Sequence, residues 1–473
     1  MSTHKNKFKD SIFMYSMTLF DVKTISWLSM ALKGSILITL LVFAGTKLDP
    51  LNSVIFLVLV NILTLQGILD FGFIPSFVRV IAYMSKKENN KDKIVINNFD
   101  YSNIHINDIY EVFNWLYFRL TFIFFILFFL VSFLSLYNTI SLLETETHAW
   151  AAIIINTIGG SLYFSFTRYA AILTGNNRIK SQKLIETFVN IPILIILLIA
   201  FLKNAHYLLI IFILNLGFFA LYIFTKSEAN KLIHKTSLNK KLNFILLKSI
   251  ISSAWRSGLG VLLSMGTING SALVIASIMP PSIASQYLIA QRLAIAIASY
   301  SYVPFQVIIP KISSLYAQKK RNLALKYASN AKAQVTLLVI FAGLFVTLLI
   351  ELVLPWLNYE FEFTETKIWL TMVIYILIER SGATNIQLQS INNNIYWHFA
   401  NGISGVFMLM LIPFLFKWTG LIGIPLSFAI GYLLFYLPFS IYLLYKELNY
   451  FEPYNEFFYV IIPSIILGIF ILW

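Results

Sequence analysis

The chain has no cysteine, and only 12% of its 473 residues are charged. The first absence excludes disulfides, thiol catalysis and cysteine-held metal together. Histidine is also scarce. His4, His105, His148, His206, His234 and His398 are scattered through loops, tails and one segment edge with no ligand spacing, so no metal site is expected. The shortage of charge, set beside 58% hydrophobic and 16% aromatic residues, excludes a string of soluble domains.

What is present is a series of long apolar runs. A hydrocarbon layer of roughly 30 Å needs about 20 apolar residues per helix. Twelve such runs occupy residues 24–45, 51–69, 113–137, 150–173, 184–202, 207–225, 249–279, 285–309, 333–354, 368–390, 398–416 and 421–445, and a shorter one closes the chain at 457–473. The sequence therefore predicts an all-α polytopic membrane protein. Lys33 lies within the first run and no small-residue cleavage site follows it, so this run is expected to be a retained helix rather than a signal peptide.

The net charge of +14 has a topological explanation. With the amino terminus placed in the cytoplasm, most Lys and Arg fall in cytoplasmic connections, which is the positive-inside pattern. No nucleic-acid partner is required. A chain without cysteine suits single-cysteine labelling: Glu362→Cys is expected to react with an impermeant reagent added outside, and Lys235→Cys to be protected. The reverse pattern would overturn the orientation.

The second large cytoplasmic connection follows six runs. It suggests a lobe at 1–230, a connection at 231–248, a second lobe at 249–445 and an additional segment at 446–473. Two local matches support internal repetition, "FGFIPSFV" (71–78) with "YSYVPFQV" (300–307) and "ILTGNNRI" (172–179) with "LQSINNNI" (388–395). Pro75 and Pro304 are the expected helix kinks, each freeing a carbonyl one turn back. Asp70 and Arg79 bracket the first of them. Asp70 either serves coupling or gating or caps a helix end, whereas snorkelling to headgroups explains Arg79.

Six cations lie inside predicted membrane segments: Lys33, Arg119, Arg168, Arg256, Arg292 and Arg380. A charge at mid-membrane costs roughly 2.5 to 3.5 kcal/mol on insertion scales, so such residues carry a functional expectation. Arg119, Arg168 and Arg256 are near enough to cytoplasmic ends to snorkel. Arg292 and Arg380 are not, and the adjacent Glu379 and Arg380 either form structural ion pairs with residues on neighbouring helices or, for Glu379, serve coupling. In the seventh run Ser249, Ser252, Ser253, Arg256, Gly260, Ser264, Thr267 and Ser271 form one small-polar stripe, which faces either a packed helix or a cavity. An arginine-rich lining with few acids suits a phosphate-bearing anion, because guanidinium stays charged and binds phosphate bidentately.

Three stretches carry a resemblance: "ILDFGFIPSFVR", "YAAILTGNNRI" and "SQYLIAQRLAIAIASYSYVPFQVIIPKIS". In order and placement they resemble the Wzx-type polysaccharide flippases of the multidrug/oligosaccharidyl-lipid/polysaccharide exporter superfamily. That resemblance implies a MATE/MOP-like fold with two six-helix lobes around a central cavity, to which the last segment is additional. It also implies a bacterial cytoplasmic-membrane protein that moves undecaprenyl-diphosphate-linked oligosaccharide, an O-antigen or capsular repeat unit, by alternating access. The cations would line the cavity, H+ or Na+ would be the coupling ion and no cofactor would be needed. Partners would be the lipid-linked substrate and membrane lipids, with a polysaccharide polymerase as a further candidate. Many members carry an acid followed by Arg late in the seventh segment, where this chain has Asn269 and Gly270.

Two other classes remain open on the residues alone. A small-molecule antiporter should show an acidic or aromatic cavity. A membrane glycosyltransferase or polymerase should show acidic pairs or a sizeable outside loop, and the outside loops here are short, with "NYEFEFTET" (358–366) among the longest.

Overall fold

In a computed structural model, the structure describes residues 22–63, 106–143, 146–233, 244–317, 320–356, 363–389, 396–448 and 456–472, with isolated positions between 65 and 100. Pro75, Arg79 and the "SINNNI" half of the second repeat match lie outside the described residues, as does the side chain of Arg256.

The described chain is helical. In order it forms α1 (Val22–Lys47), α2 (Pro50–Ile62), α3 (Ile106–Ile140), α4 (Thr147–Gly175), α5 (Ile179–Leu202), α6 (Tyr207–Asn230), α7 (Phe244–Ile278) and α8 (Pro281–Ser301). There follow α9 (Val303–Ala317), α10 (Arg321–Leu348), α11 (Thr366–Gln389), α12 (Trp397–Thr419), α13 (Gly423–Gly431), α14 (Leu437–Leu448) and α15 (Ile462–Leu472). One two-residue antiparallel ladder, Val95–Ile96 against Phe99–Asp100, precedes α3.

Nine helical stretches among the described residues are long and apolar enough to cross a membrane. The shortfall from the predicted runs has three local causes. The second run is described as a helix for only 13 residues. The helix α11 has full length but carries Lys367, Glu379 and Arg380. The stretch Phe399–Lys446 counts once, although Gly420, at φ +64, turns the chain between α12 and α13. That left-handed conformation is open to glycine and strained for other residues. The chain also turns from α8 to α9 at Tyr302, and Pro304 takes the second position of α9, where its missing N–H interrupts no helical bond.

Packing divides the chain into two compact units. The first comprises Met1–Phe43, Gly72–Leu134 and Ile140–Trp255. Within it α4 lies along α6, and an added Cβ on Gly159 would fall 1.7 Å from the Asn215 side chain. Phe77, Phe113, Tyr117, Phe164 and Phe124 make one continuous aromatic stack through its core. The α4–α5 turn uses Asn177 at φ +58, a conformation that asparagine tolerates. The Asn176 amide donates to the Ile172 carbonyl at 2.8 Å and to the Tyr110 hydroxyl at 2.7 Å. The "ILTGNNRI" stretch is thus a built helix terminus.

The second unit comprises Ala44–Phe71, Ser135–Thr139 and Arg256–Trp473. Here α2 packs on α8, α11 packs on α10, α13 and α14, and α15 lies against α11. Close approach of α7 and α12 explains the middle of the small-residue stripe, around Gly260 and Ser264. Ser264 is fully buried, and a Cβ on Gly405 would stand 2.2 Å from the Leu263 carbonyl oxygen. Backbone cannot yield as a side chain can. Gly405→Ala is therefore expected to cost about 1–3 kcal/mol by overpacking, read as a lower Tm in detergent, whereas Gly270→Ala, which meets no atom within 4 Å, should be neutral. Beyond this contact the same two helices border an apolar groove of about 670 Å³, flanked by Thr267, Ser271, Leu409 and Phe416.

His148 and His206, read from sequence as solvated loop residues, meet edge to face with ring centroids 4.8 Å apart. His206 caps α6, its Nδ1 accepting from the Leu208 N–H at 3.2 Å. Partial burial, and then the charge of His148, hold His206 below its ordinary value of 6.5. Neutral His206 is therefore favoured in the folded state, so its contribution is present above the unfolded value and lost as pH falls through the lower folded one. Thermal stability should fall on acidification below pH 6.5. His206→Asn keeps a cap and removes the titration, so it should flatten that slope.

Candidate functional site

In the first unit the three sequence-predicted cations have separate partners. The Lys33 ammonium meets the Glu186 carboxylate at 2.8 Å. Glu186 is only 2% exposed and also accepts from Ser29 at 2.8 Å, Lys183 at 2.9 Å and Gln182 at 3.1 Å. This is a satisfied buried acid, as burial of a carboxylate demands. Arg119 is exposed and lays its guanidinium on the Trp115 ring, 3.8 Å from the centroid. Arg168 is buried on α4, donating to the Asn114 carbonyl at 3.2 Å and to the Tyr169 hydroxyl at 2.8 Å.

In the second unit Arg292 is 2% exposed on α8, where it hydrogen-bonds the Asn61 side chain of α2. Arg380 and Glu379, adjacent on α11, form a bidentate ion pair. The Arg380 guanidinium also stands over the Tyr302 ring at 5.0 Å. Tyr375, Tyr432 and Tyr436 are buried, and the last two sit on a π-helical turn, Tyr432–Tyr436. An added Cβ on Gly382 would strike the Tyr436 ring at 2.4 Å, so glycine is what lets that ring lie against α11. Asp70 is buried, 6% exposed.

Sequence reasoning missed a buried polar cluster of the second unit. Lys332 of α10 bonds the Glu456 carboxylate and the Asn385 amide oxygen, the latter at 2.8 Å. Glu456 also accepts from Ser381 at 2.8 Å and Asn385 at 3.0 Å, and Asn385 reaches Ser440 at 3.2 Å. Lys332 stands just outside the run at 333–354 and Glu456 just outside the run at 457–473, and 124 residues separate them. No local pattern announces such a pair. Glu186 was more legible, being an acid inside an apolar run with Lys183 three positions earlier. The scarcity of acids expected around the cations thus gives way to two buried carboxylates, Glu186 and Glu379, each paired with a cation that the sequence singled out.

No cluster of three or more potential metal-ligating side chains occurs among the described residues. No family model and no curated protein matches the sequence. Solved structures do match its backbone. The lipid II flippase MurJ in an inward closed conformation aligns with a TM-score of 0.65 at 15% identity, covering 95% of this chain and 92% of that one. An outward-facing multidrug resistance MATE family transporter of the MOP superfamily aligns at 0.56 and 13% identity, over 91% and 96% of the two chains. An inward-facing conformation of a transporter of that description aligns at 0.52 and 12% identity, over 86% and 96%. The chain therefore has the multi-pass helical fold that the lipid II flippase and the MATE transporters share.

Proposed function

We propose that this protein is a transporter that moves an undecaprenyl-diphosphate-linked oligosaccharide, an O-antigen or capsular repeat unit, across the bacterial cytoplasmic membrane by alternating access. The observation that carries the reading is Arg292, a guanidinium 2% exposed inside a membrane-type helix and bonded to a neutral amide, in a fold shared with a lipid II flippase. A cation buried there is costly, and a diphosphate offsets that cost in a way an apolar drug does not. Arg380, Arg256, Arg168, Lys33 and Arg119 are further candidates for contact with the substrate. Asp70 and Glu379 are the candidates for coupling to H+ or Na+, the amino terminus is cytoplasmic, and a polysaccharide polymerase is the candidate recipient.

A multidrug antiporter is the second reading, favoured by the buried Glu379 among tyrosines and by the MATE neighbours. Proteoliposomes separate the two. The flippase reading expects isoprenoid-diphosphate oligosaccharide to reach the opposite leaflet, with no accumulation of a cationic dye. Dye transport without glycolipid movement would replace it with the antiporter reading.

A further inference from the structure

One cluster in the first unit joins Arg168 to a second cation, Lys226, through two tyrosines. Arg168 and Tyr169 lie on α4, and Tyr222 and Lys226 lie on α6. The Arg168 guanidinium donates to the Tyr169 hydroxyl at 2.8 Å. The Lys226 ammonium donates to the Tyr222 hydroxyl at 3.1 Å. The two phenol rings meet edge to face, 5.8 Å between centroids. Each cation also faces its tyrosine ring, at 4.5 Å for Arg168 and 5.1 Å for Lys226.

Two features mark the cluster as incomplete. The Arg168 Nε is buried without a hydrogen-bond partner among the described residues, in a side chain only 7% exposed. Neither Arg168 nor Lys226 has a carboxylate at ion-pair distance among the described residues. Glu228, two residues beyond Lys226, is engaged by Arg178 and Lys231, while Glu186 is taken by Lys33 and Lys183. Two like charges sharing one cluster repel each other, and the unpartnered buried N–H of Arg168 adds its own desolvation cost. Both penalties vanish if an oxyanion sits there. Each phenol oxygen already accepts from a cation, and the Tyr169 hydroxyl also donates to that of Tyr222, which leaves the Tyr222 O–H proton to donate. The cluster also has a way in, because Arg168 and Tyr169 are buried whereas Tyr222 and Lys226 are half-buried. Lys226 lies one turn before the end of α6.

We propose that Arg168, Tyr169, Tyr222 and Lys226 form a binding site for a phosphate group carried by a lipid. Arg168 Nε–H and the Tyr222 hydroxyl donate to the phosphate oxygens, Tyr169 orders the two, and Lys226 draws the group in from the end of the helix. Guanidinium and ammonium divide the work by their chemistry, the rigid fork fixing the anion and the mobile point charge recruiting it. The lipid is either an isoprenoid diphosphate or an anionic membrane phospholipid. The site deepens the function proposed above but does not depend on it.

The test uses the full-length protein in nanodiscs. One arm titrates undecaprenyl diphosphate into zwitterionic discs, and the other varies phosphatidylglycerol content with no isoprenoid present, each read by native mass spectrometry of retained lipid. Tyr222→Phe keeps the ring and Lys226→Gln removes a half-buried charge, so both should fold. Each is expected to weaken retention of one of the two lipids at least tenfold, and the arm in which this happens names the source. Arg168→Lys should weaken it as well, since a point charge cannot replace the fork. If both variants retain both lipids at parental affinity, the cluster is only a cation–π brace and the proposal is wrong. Glycolipid flipping by the parent protein is scored separately. Failure there with intact, variant-sensitive phosphate retention sinks the transport reading and leaves the site standing.

Discussion

Glu456→Ala is expected to destabilise the protein by about 3–5 kcal/mol, the usual cost of removing one partner from a buried ion pair. The carboxylate is the hub of the cluster that joins α10, α11 and the segment leading into α15. It accepts from Lys332, Ser381 and Asn385, and the ion-pair side chains are 8% and 9% exposed. Removing it strips the Lys332 ammonium of its carboxylate while leaving it buried, leaves the Ser381 hydroxyl without its acceptor and leaves the Asn385 amide with only Ser440. The segment 457–472, which otherwise holds to α11 through apolar packing, should then release first. Limited proteolysis should cut before Phe457 at lower temperature than in the parent, and the melting transition in detergent should move down. Lys332→Met with Glu456→Met separates pair loss from charge loss. A buried pair exchanged for apolar side chains of similar volume is often neutral or stabilising, so the double variant should recover most of the stability lost by Glu456→Ala. If Glu456→Ala melts with the parent, the cluster is not what fastens the last segment.

That cluster also shows where sequence reading stops. Apolar runs are local, so the helices and their order could be read directly, and the extra carboxy-terminal segment was visible as a run. The cations inside apolar runs were equally visible, because a charge among Leu, Ile and Phe stands out without any knowledge of neighbours. Their partners were not. Glu186 meets Lys33 across more than half of the first unit's sequence, and Asn61 meets Arg292 across 231 positions. Helix packing decides such pairs, and periodicity on one helix carries no information about the facing one. Lys332 shows the opposite limit: it stands just before an apolar run and so outside the predicted membrane segment, but it is buried one turn before Thr336 on a continuous helix. The seventh-run stripe was legible as a pattern yet ambiguous in meaning. The close contact of Gly405 with the Leu263 backbone assigns its middle part to helix packing.

Arg292→Gln is expected to slow glycolipid flipping by ten- to a hundredfold, with folded yield near that of the parent. The two halves of this expectation have separate causes. A hydrogen bond to a charged group contributes about 1.5–3 kcal/mol, and tenfold in rate or affinity corresponds to about 1.4 kcal/mol. Losing one guanidinium–phosphate contact therefore removes one to two decades of transport. The fold, by contrast, is spared, because glutamine also supplies an N–H for the Asn61 amide oxygen and exchanges a buried charge for a neutral group of lower desolvation cost. Arg292→Lys keeps the charge but loses the fork, so its rate should fall between the two. Arg380 is the needed contrast. Its guanidinium is bound to Glu379, so Arg380→Gln leaves a buried carboxylate without its cation and should lower stability before it says anything about substrate. Only Glu379→Gln with Arg380→Gln reads function there without that penalty. Transport is scored per folded molecule in proteoliposomes, with a cationic dye as the parallel cargo. Parental flipping by Arg292→Gln would remove the buried guanidinium from the mechanism, and with it the observation on which the lipid-diphosphate reading rests.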